Sequence, residues 1–330
     1  MSLRRSPRSH PSPVATAPIE QHAPSRRLDL VLRAAEAMRV DAPKRPRDTT
    51  DEANDIINEA IERVSYDGRM LRSMSEELRS NRAVVLAAVQ QNGRALEYAS
   101  DELQADREVV LAAVKQNGHA IRFAPSHLRA DYEMVLAAVK NNSYALLFAS
   151  AELQDNPYVV LSAVEQDGEA LAYASERLQG DGFVVIAAVQ QNGRALEYAS
   201  ERLQGDGLVV LAAVEQNGTA LEFASEELRA DCELVLAAVA QDGTALHYAS
   251  YELRDDRHVV LAAVTQDGTA LYDASDEMKD NREVVLAAMQ EDGRALGFAS
   301  EALRSDPGLQ SLYLATVPDA DLADLQSRSR

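Results

Sequence analysis

The sequence predicts an all-α fold, an α-solenoid of about nine to ten 25-residue helix-turn-helix units. Three observations support this prediction. A glycine recurs every 25 residues from Gly68 to Gly293, with Ser143 at the one exception. An Asp or Asn begins each unit, from Asn81 to Asp306, and an apolar run such as VVLAAV follows. Because so short a unit has no core of its own, its apolar faces can be buried only by stacking on neighbouring units.

The first element of a unit, helix A, is illustrated by the unit that begins at Asp106. Asp and Asn cap helix N-termini through a side-chain oxygen. Val109, Val110 and Val114 follow at helical spacing and form one broad apolar face. We expect Gly118 to stop the helix, since glycine accepts the left-handed conformation without steric cost. These signals predict an α-helix of about ten residues.

A corner and two short segments complete the unit. The Asn or Asp before the glycine, for example Asn92, would oppose the helix dipole at the C-terminus of helix A. We therefore infer that it caps the next helix, helix B. Helix B runs for about six residues and includes Leu96 and Tyr98, both expected in the core. Ser100 and Leu103 then fall in a segment that we expect to be a single 3₁₀ turn.

The domain organisation follows from the repeat boundaries. Residues 1–27 are predicted to be a disordered basic leader, 28–50 an amphipathic helix and linker, and 51–80 a degenerate N-terminal capping repeat. Residues 81–305 hold nine repeats, and 306–330 form a C-terminal cap and tail. The leader is rich in Arg, Ser and Pro and lacks the apolar core of a secretory signal peptide. It fits a plain disordered leader, an organelle transit peptide or a non-classical secretion signal.

Charge and apolar content limit the partners and compartments. The chain has 33 Lys and Arg against 53 Asp and Glu, a net charge of −20. Residues 1–50 hold ten basic and five acidic residues, a net of +5, and the other 23 basic and 48 acidic residues give residues 51–330 a net of −25. So acidic a body repels phosphate backbones, and we expect no direct nucleic-acid binding by the repeats.

No apolar run approaches the ~18 residues that cross a bilayer. We expect a monomeric, cytoplasmic protein. Export into a host cell through the N-terminal segment, or targeting to an organelle, are the alternatives. The single cysteine excludes an intramolecular disulfide and says nothing about the redox compartment.

The units, such as DREVVLAAVKQNGHAIRFAP and NREVVLAAMQEDGRALGFAS, resemble the repeats named domain of unknown function 4116 over about residues 81–305. The resemblance implies a helical repeat fold and an occurrence in bacteria, including secreted effectors of host-associated species, and in unicellular algae. No activity is assigned to that family, so the resemblance implies almost nothing about function. Leucine-rich variant repeats, which alternate α- and 3₁₀-helices at a similar period, are a second resemblance.

Candidate catalytic and metal-binding residues are few. The recurring acids are explained as helix caps or solvated surface, and each Asp-Gly corner offers too few oxygen ligands for Ca²⁺. Cys232 lies in the first turn of a helix A, where the helix dipole can make a thiol reactive, and His258 lies one position further along in the next unit. Both also fit a variable surface site. We predict no catalytic residue, metal or cofactor, and keep an enzyme with Cys232 as its reactive thiol as an alternative.

The variable positions carry the candidate binding site. The third position of helix A holds Tyr158, Phe183 and Leu208 in three consecutive units, where other units mostly hold polar residues. Stacking aligns these side chains as one apolar stripe. Nearby variable positions add aromatic, apolar and arginine side chains, namely Tyr132, Tyr144, Leu147, Arg177 and Arg202. This composition is typical of a protein-binding hot spot; the alternative is that the third position is half-buried against the preceding turn.

Together these observations predict a non-enzymatic repeat scaffold that binds another protein along an extended acidic surface. A secreted effector with a basic export leader is one form of this hypothesis. Competition for a basic, nucleic-acid-binding partner through charge mimicry is another. A purely structural spacer is the remaining alternative.

Overall fold

A computed structural model describes residues 49–317. The predicted leader (1–27), the predicted amphipathic helix (28–39), its linker as far as residue 48 and residues 318–330 of the tail lie outside the described residues. Between residues 49 and 317 every regular element is a helix, and no strand is present. The predicted all-α repeat architecture is confirmed.

Each unit contains three helices, A, B and C, in chain order. Helix A is an α-helix, ten residues long in most units: Thr49–Tyr66, Arg82–Gln91, Arg107–Gln116, Tyr132–Asn141, Pro157–Val164, Gly182–Gln191, Gly207–Gln216, Cys232–Gln241, Arg257–Gln266, Arg282–Glu291 and Pro307–Thr316. Helix B is a six-residue 3₁₀ helix: Gly68–Ser73, Gly93–Tyr98, Gly118–Phe123, Ser143–Phe148, Gly168–Tyr173, Gly193–Tyr198, Gly218–Phe223, Gly243–Tyr248, Gly268–Asp273 and Gly293–Phe298. Helix C is one α-helical turn of four residues: Glu76–Arg79, Asp101–Gln104, Ser126–Arg129, Ala151–Gln154, Glu176–Gln179, Glu201–Gln204, Glu226–Arg229, Tyr251–Arg254, Asp276–Lys279 and Glu301–Arg304.

The two short helices differ in type from the sequence expectation. The amides of helix B bond carbonyls three residues earlier, as Ala95 N does to Asn92 O at 2.8 Å, so this helix is 3₁₀ rather than α. Helix C, expected to be a 3₁₀ turn, has bonds four residues apart, as from Gln104 N to Ser100 O at 2.9 Å. A three-residue period suits helix B because it returns the same side of a short segment to the core at each turn.

Side-chain caps set the start of helices A and B. Asp106 Oδ1 accepts hydrogen bonds from Glu108 N and Val109 N at 2.9 and 3.0 Å and so caps helix A. Asn117 Oδ1 accepts from His119 N at 3.1 Å and caps helix B. The inference that the Asn or Asp before the glycine serves the following helix is therefore confirmed.

The helices form two layers with a continuous apolar core between them. In the unit that begins at Asn81, Val84, Val85 and Val89 of helix A and Leu96 of helix B are fully buried. From Arg82–Gln91 to Arg282–Glu291, helices A pack on neighbouring helices A, and each also contacts the helix B of its own and of the preceding unit. Helices B likewise pack on helices B. Burial of each unit therefore depends on its neighbours, as the repeat length predicts.

The recurring glycine marks the closest approach between units. A Cβ atom at Gly93 would lie 2.3 Å from the backbone oxygen of Ala113 in the next unit. Gly93 N donates to Gln116 Oε1 of that unit at 2.5 Å, and the same bond recurs in other units at 2.5 to 2.7 Å. The expected left-handed conformation is not adopted. The glycine is needed for space between units rather than for an unusual backbone.

Ser143, the exception in the glycine series, disturbs the following unit. Its Cβ occupies the place where the other units bring a helix A carbonyl close, and the next helix A, Pro157–Val164, has eight residues instead of ten. The side chain of Gln166 donates instead to Val139 O and Ser162 O, at 3.0 and 2.8 Å. Within the described residues no bond joins Ser143 N to Gln166, so this junction lacks a tie that the regular units have.

The outermost described units are modified. The N-terminal helix A, Thr49–Tyr66, is extended to 18 residues. At the other end a helix A, Pro307–Thr316, closes the array, and a Cβ at Gly293 would lie 2.4 Å from Thr316 Oγ1. No helix between residues 49 and 317 is long and apolar enough to cross a membrane.

Candidate protein-binding surface on the helix A layer

The outward face of helix A carries the candidate site. In the unit that begins at Asp181, Phe183 and Gln190 are exposed, while Ile186 and Ala187 between them are half-buried. These residues are spaced by three or four positions, so they share one face of the helix. Opposite them, the valines of the helix face the core. Every unit therefore presents a half-buried apolar floor flanked by two exposed, variable positions.

Tyr158, Phe183 and Leu208 form a row on this face, one residue from each of three stacked helices. Their side chains are 75%, 73% and 77% exposed. The alternative that the third position is half-buried against the preceding turn therefore does not hold. Together with the half-buried residues beneath them, Leu161, Ile186 and Leu211, they make what we call the central row.

In three flanking units the equivalent position holds an acid in an ion pair instead: Glu108, Glu133 and Glu283. Arg107 Nη2 lies 2.6 Å from Glu133 Oε2 of the next unit and 3.5 Å from its cap, Asp131. Similar pairs join second-position arginines to the following unit: Arg82 with Asp106 and Glu108, Arg257 with Glu283, and Arg282 with Asp306. An arginine at the second position and an acid one unit later thus cover the helix A surface with paired charges. We call this series the arginine ladder.

The ladder is interrupted at the central row because the second position holds Pro157, Gly182 and Gly207. A Cβ at Gly182 or Gly207 would meet nothing within 4 Å. Packing therefore does not require glycine at either place, in contrast to the glycines that begin helix B. The result is an exposed apolar row with open space beside it. Sequence reasoning missed these small residues, although their alignment with four arginines was visible.

The other predicted binding residues do not all join the central row. Tyr132, 43% exposed, lies in the first turn of the preceding helix A, on the same layer. Tyr144 and Leu147 are exposed on helix B, which belongs to the other layer. The ring of Tyr144 contacts that of Tyr173 at 4.8 Å between centroids, and burial together with the Tyr144 hydroxyl raises the pKa of Tyr173.

The two predicted arginines are engaged within the array. Arg177 Nε lies 2.9 Å from Asp155 Oδ1, and its Nη2 donates to Asp155 O at 2.8 Å. Hydrogen bonds from Ser175 and Arg177 lower the pKa of Asp155. Arg202 Nη2 donates to Gly180 O at 2.8 Å. Both arginines therefore join helix C to the preceding unit. Only the exposed parts of their guanidinium groups are left to contact a partner.

Chemistry-bearing groups are scattered rather than clustered. Cys232 is exposed, and within the described residues no hydrogen bond joins it to His258. His247 Nδ1 lies 2.7 Å from Asp273 Oδ1, which fills the place of the recurring aromatic on helix B. Among residues 49–317 no group of three or more His, Cys, Asp and Glu side chains is arranged to hold a metal ion.

The family profile described as domain of unknown function (DUF4116) matches the chain five times in tandem, at residues 55–104, 106–154, 156–204, 206–254 and 256–304. Each match spans two 25-residue units, and the matches together cover most of the chain. No curated protein and no solved structure matches it. The resemblance seen in the sequence is confirmed, and the chain belongs to the DUF4116 family.

Proposed function

We propose that the protein is a non-enzymatic repeat scaffold that binds another protein through the helix A layer, centred on the central row. One observation carries this proposal. Three consecutive units expose Tyr158, Phe183 and Leu208 at a position that three flanking units fill with an ion-paired acid, namely Glu108, Glu133 and Glu283, and the fold gives no packing reason for the change.

The chemistry of the row supports a protein as the ligand. Contiguous exposed apolar side chains are costly to leave in water unless a partner covers them. Aromatic residues in such a patch are the usual anchors of protein interfaces. The acidic surroundings of the repeats disfavour nucleic acid, whose phosphates need basic partners. A secreted effector remains a hypothesis about the N-terminal segment, and a fusion of residues 1–50 to a reporter that is not exported would remove it.

Affinity capture followed by mass spectrometry tests the proposal. The test variant is Tyr158→Ala/Phe183→Ala/Leu208→Ala. A matched control, Tyr66→Ala/Tyr251→Ala/Leu314→Ala, removes exposed side chains of similar kind elsewhere. Because all six are exposed, we expect each variant to keep the wild-type stability within about 0.5 kcal/mol. The test variant should lose at least tenfold of the captured partner, whereas the control should capture as the wild type does.

Three results would count against this function, one for each alternative. If the test variant captured the same proteins as the wild type while its stability fell, the row would be part of the core. If Cys232 were labelled selectively by thiol reagents near neutral pH and its replacement abolished a measured activity, the thiol-enzyme alternative would gain support. A spacer, in turn, should have no high-affinity partner at all.

A further inference from the structure

We propose that the central row binds a basic amphipathic α-helix of its partner, laid along the stack so that it crosses three units. This inference rests on the proposed function and adds the chemical class of the ligand. It depends on three features of the same surface: its uncompensated acids, its two apolar rows and the open space beside them.

The first feature is a set of acidic caps beside the row. Asp181, Asp206 and Asp231 each use Oδ1 to cap a helix A, accepting from Phe183 N, Leu208 N and Leu234 N at 3.0, 3.0 and 2.9 Å. Three equivalent caps in the flanks, Asp106, Asp131 and Asp306, also pair with an arginine of the preceding unit. Among the described residues no arginine pairs with these three, because the preceding units hold Pro or Gly at the second position.

Other acidic residues around the row also favour a basic ligand. Glu165 and Glu215 lie at the far end of the helices A that carry the row, and Glu233 follows in the next unit. The row therefore lies between acids that form no ion pair within residues 49–317. Lysine and arginine side chains at the margins of a ligand helix would be attracted by this negative potential, which would also raise the association rate.

The second feature is the spacing of the two parallel lines of side chains in the central row. One line is exposed and the other, beneath it, is half-buried. Stacked helices lie roughly 8–10 Å apart, and residues seven apart on an α-helix rise about 10.5 Å. A ligand helix along the stack can thus place every seventh residue against Tyr158, Phe183 and Leu208. Its residues at the intervening three- and four-residue spacing reach the half-buried floor of Leu161 and Ile186. An amphipathic helix presents these two rows on one face.

The third feature is clearance. Apart from the glycine, its two chain neighbours and the nearby backbone of its own helix, no heavy atom lies within 4 Å of the place where a Cβ would stand at Gly182 or Gly207. An arginine, which occupies this position in four flanking units, would repel a basic ligand. Two glycines and a proline at consecutive second positions therefore remove long side chains and positive charge from beside the row at the same time.

Defined peptides test this inference with the full-length protein. The probe is a fluorescein-labelled 18-residue peptide of Leu and Lys, with Leu at i, i+3, i+4 and i+7 spacing. The comparison peptides are a scrambled sequence of the same composition, the same pattern with Glu in place of Lys, and a proline-rich peptide with the same number of lysines. Fluorescence anisotropy at physiological salt should show at least tenfold tighter binding of the patterned cationic peptide than of the other three.

Two variants separate the apolar and the charge contributions. Tyr158→Ala/Phe183→Ala/Leu208→Ala should weaken binding at least tenfold at every salt concentration. Asp181→Asn/Asp206→Asn/Asp231→Asn should weaken it severalfold and flatten its salt dependence. Asparagine keeps the helix caps, since Asn81, Asn156 and Asn281 cap their helices in the same way. The matched control, Glu169→Gln/Glu197→Gln/Glu222→Gln, neutralises three exposed acids of the helix B layer and should change nothing.

The outcomes are distinguishable. Equal binding of the scrambled peptide, or binding that survives the triple alanine variant, would overturn the inference. Preference for the proline-rich peptide would show that the ligand is extended rather than helical. If no peptide bound while capture of a partner still depended on the central row, the ligand class would be wrong and the proposed function would stand. If neither depended on the row, both would fail.

Discussion

The central units, 156–230, and the flanking units share a scaffold and differ at two positions of helix A. In four flanking units an arginine and an acid one unit later form the ladder, as in Arg107 with Glu133. In the centre the same places hold a proline or glycine and a large apolar residue, such as Gly182 and Phe183. The core valines, the caps and the corner glycines do not change with them.

The difference shows that scaffold and surface vary independently in this chain. Ion pairs on an exposed surface contribute little to stability, so their loss in the centre costs the fold little. The exposed side chains of the central row do not contribute to the core, so the stability of the fold does not explain their presence. A function is therefore best sought where the repeats depart from the ladder, and not where they agree.

The largest loss of stability is expected at a corner glycine, which lies against the next unit in the centre and in the flanks alike. Gly193→Ala would place a Cβ 2.4 Å from Ala213 O of the next unit, and we expect a loss of about 3 kcal/mol in the free energy of unfolding. Gly182→Ala, in the same unit, meets nothing and should leave stability unchanged or raise it by up to about 1 kcal/mol. Urea unfolding measures both, and equal stability of the two variants would refute the close-approach explanation.

A smaller effect is expected at the junction where the first flank meets the centre. Ser143→Gly should restore the bond from this amide to Gln166 Oε1 and let the next helix A reach its usual ten residues. Because one hydrogen bond contributes roughly 1 kcal/mol, the amides of Glu165 and Gln166 should exchange with solvent about five- to tenfold more slowly. Hydrogen exchange read by NMR measures this.

The control for that junction is Ser162→Ala, which gives the same helix A the alanine found in most other units. It should leave the exchange of Gln166 unchanged. Equal slowing in both variants would mean that helix propensity, and not the contact between units, sets the length of this helix.

The smallest effect concerns the ladder itself and depends on pH. A hydrogen bond from Arg82, together with backbone amides, lowers the pKa of Asp106 below its ordinary 3.8. Because the folded-state pKa is the lower one, this contribution is present at neutral pH and is lost as the pH falls below about 3.8 through the folded-state pKa. Asp106→Asn keeps the cap, so it should cost only about 0.5 kcal/mol near pH 7, and the difference should shrink in acid.

Asp181→Asn is the central counterpart of that variant, and it removes the charge of a cap that has no arginine partner among the described residues while keeping the cap itself. It should leave the free energy of unfolding unchanged both near pH 7 and in acid. Chemical unfolding of the two variants at neutral and at acidic pH measures this difference. An equal cost at Asp106 and Asp181 would mean that the ladder has no measurable energy and that the two regions differ in surface chemistry alone.

Local signals made most of the fold predictable. The caps at Asp106 and Asn117 and the 25-residue period fixed helix A and the corner, because each depends on residues close in sequence. The reason for Gly93 was not predictable, since it depends on a contact with Ala113 of the next unit, 20 residues further along. A sequence read one unit at a time contains no such contact.

The candidate site was predictable in part for the same reason. Aligning the units by their period was enough to place Tyr158, Phe183 and Leu208 in one row. Tyr144 and Leu147 were grouped with them, but they belong to the helix B layer, because the 3₁₀ period turns those positions outward on the other side. The ladder was missed even though its spacing of 26 residues, as from Arg107 to Glu133, was written in the sequence.

The bond that most corner glycines form with a glutamine of the next unit, as Gly93 does with Gln116, also implies an order of folding during synthesis. During synthesis, Gly93 N leaves the ribosome 23 residues before Gln116, its acceptor. A unit therefore cannot complete its hydrogen bonds until its successor has been translated, and folding must follow the ribosome at a lag of about one repeat. A chain cut within Arg107–Gln116 loses the acceptor of Gly93, whereas one shortened by a whole internal repeat keeps the 23-residue spacing between donor and acceptor.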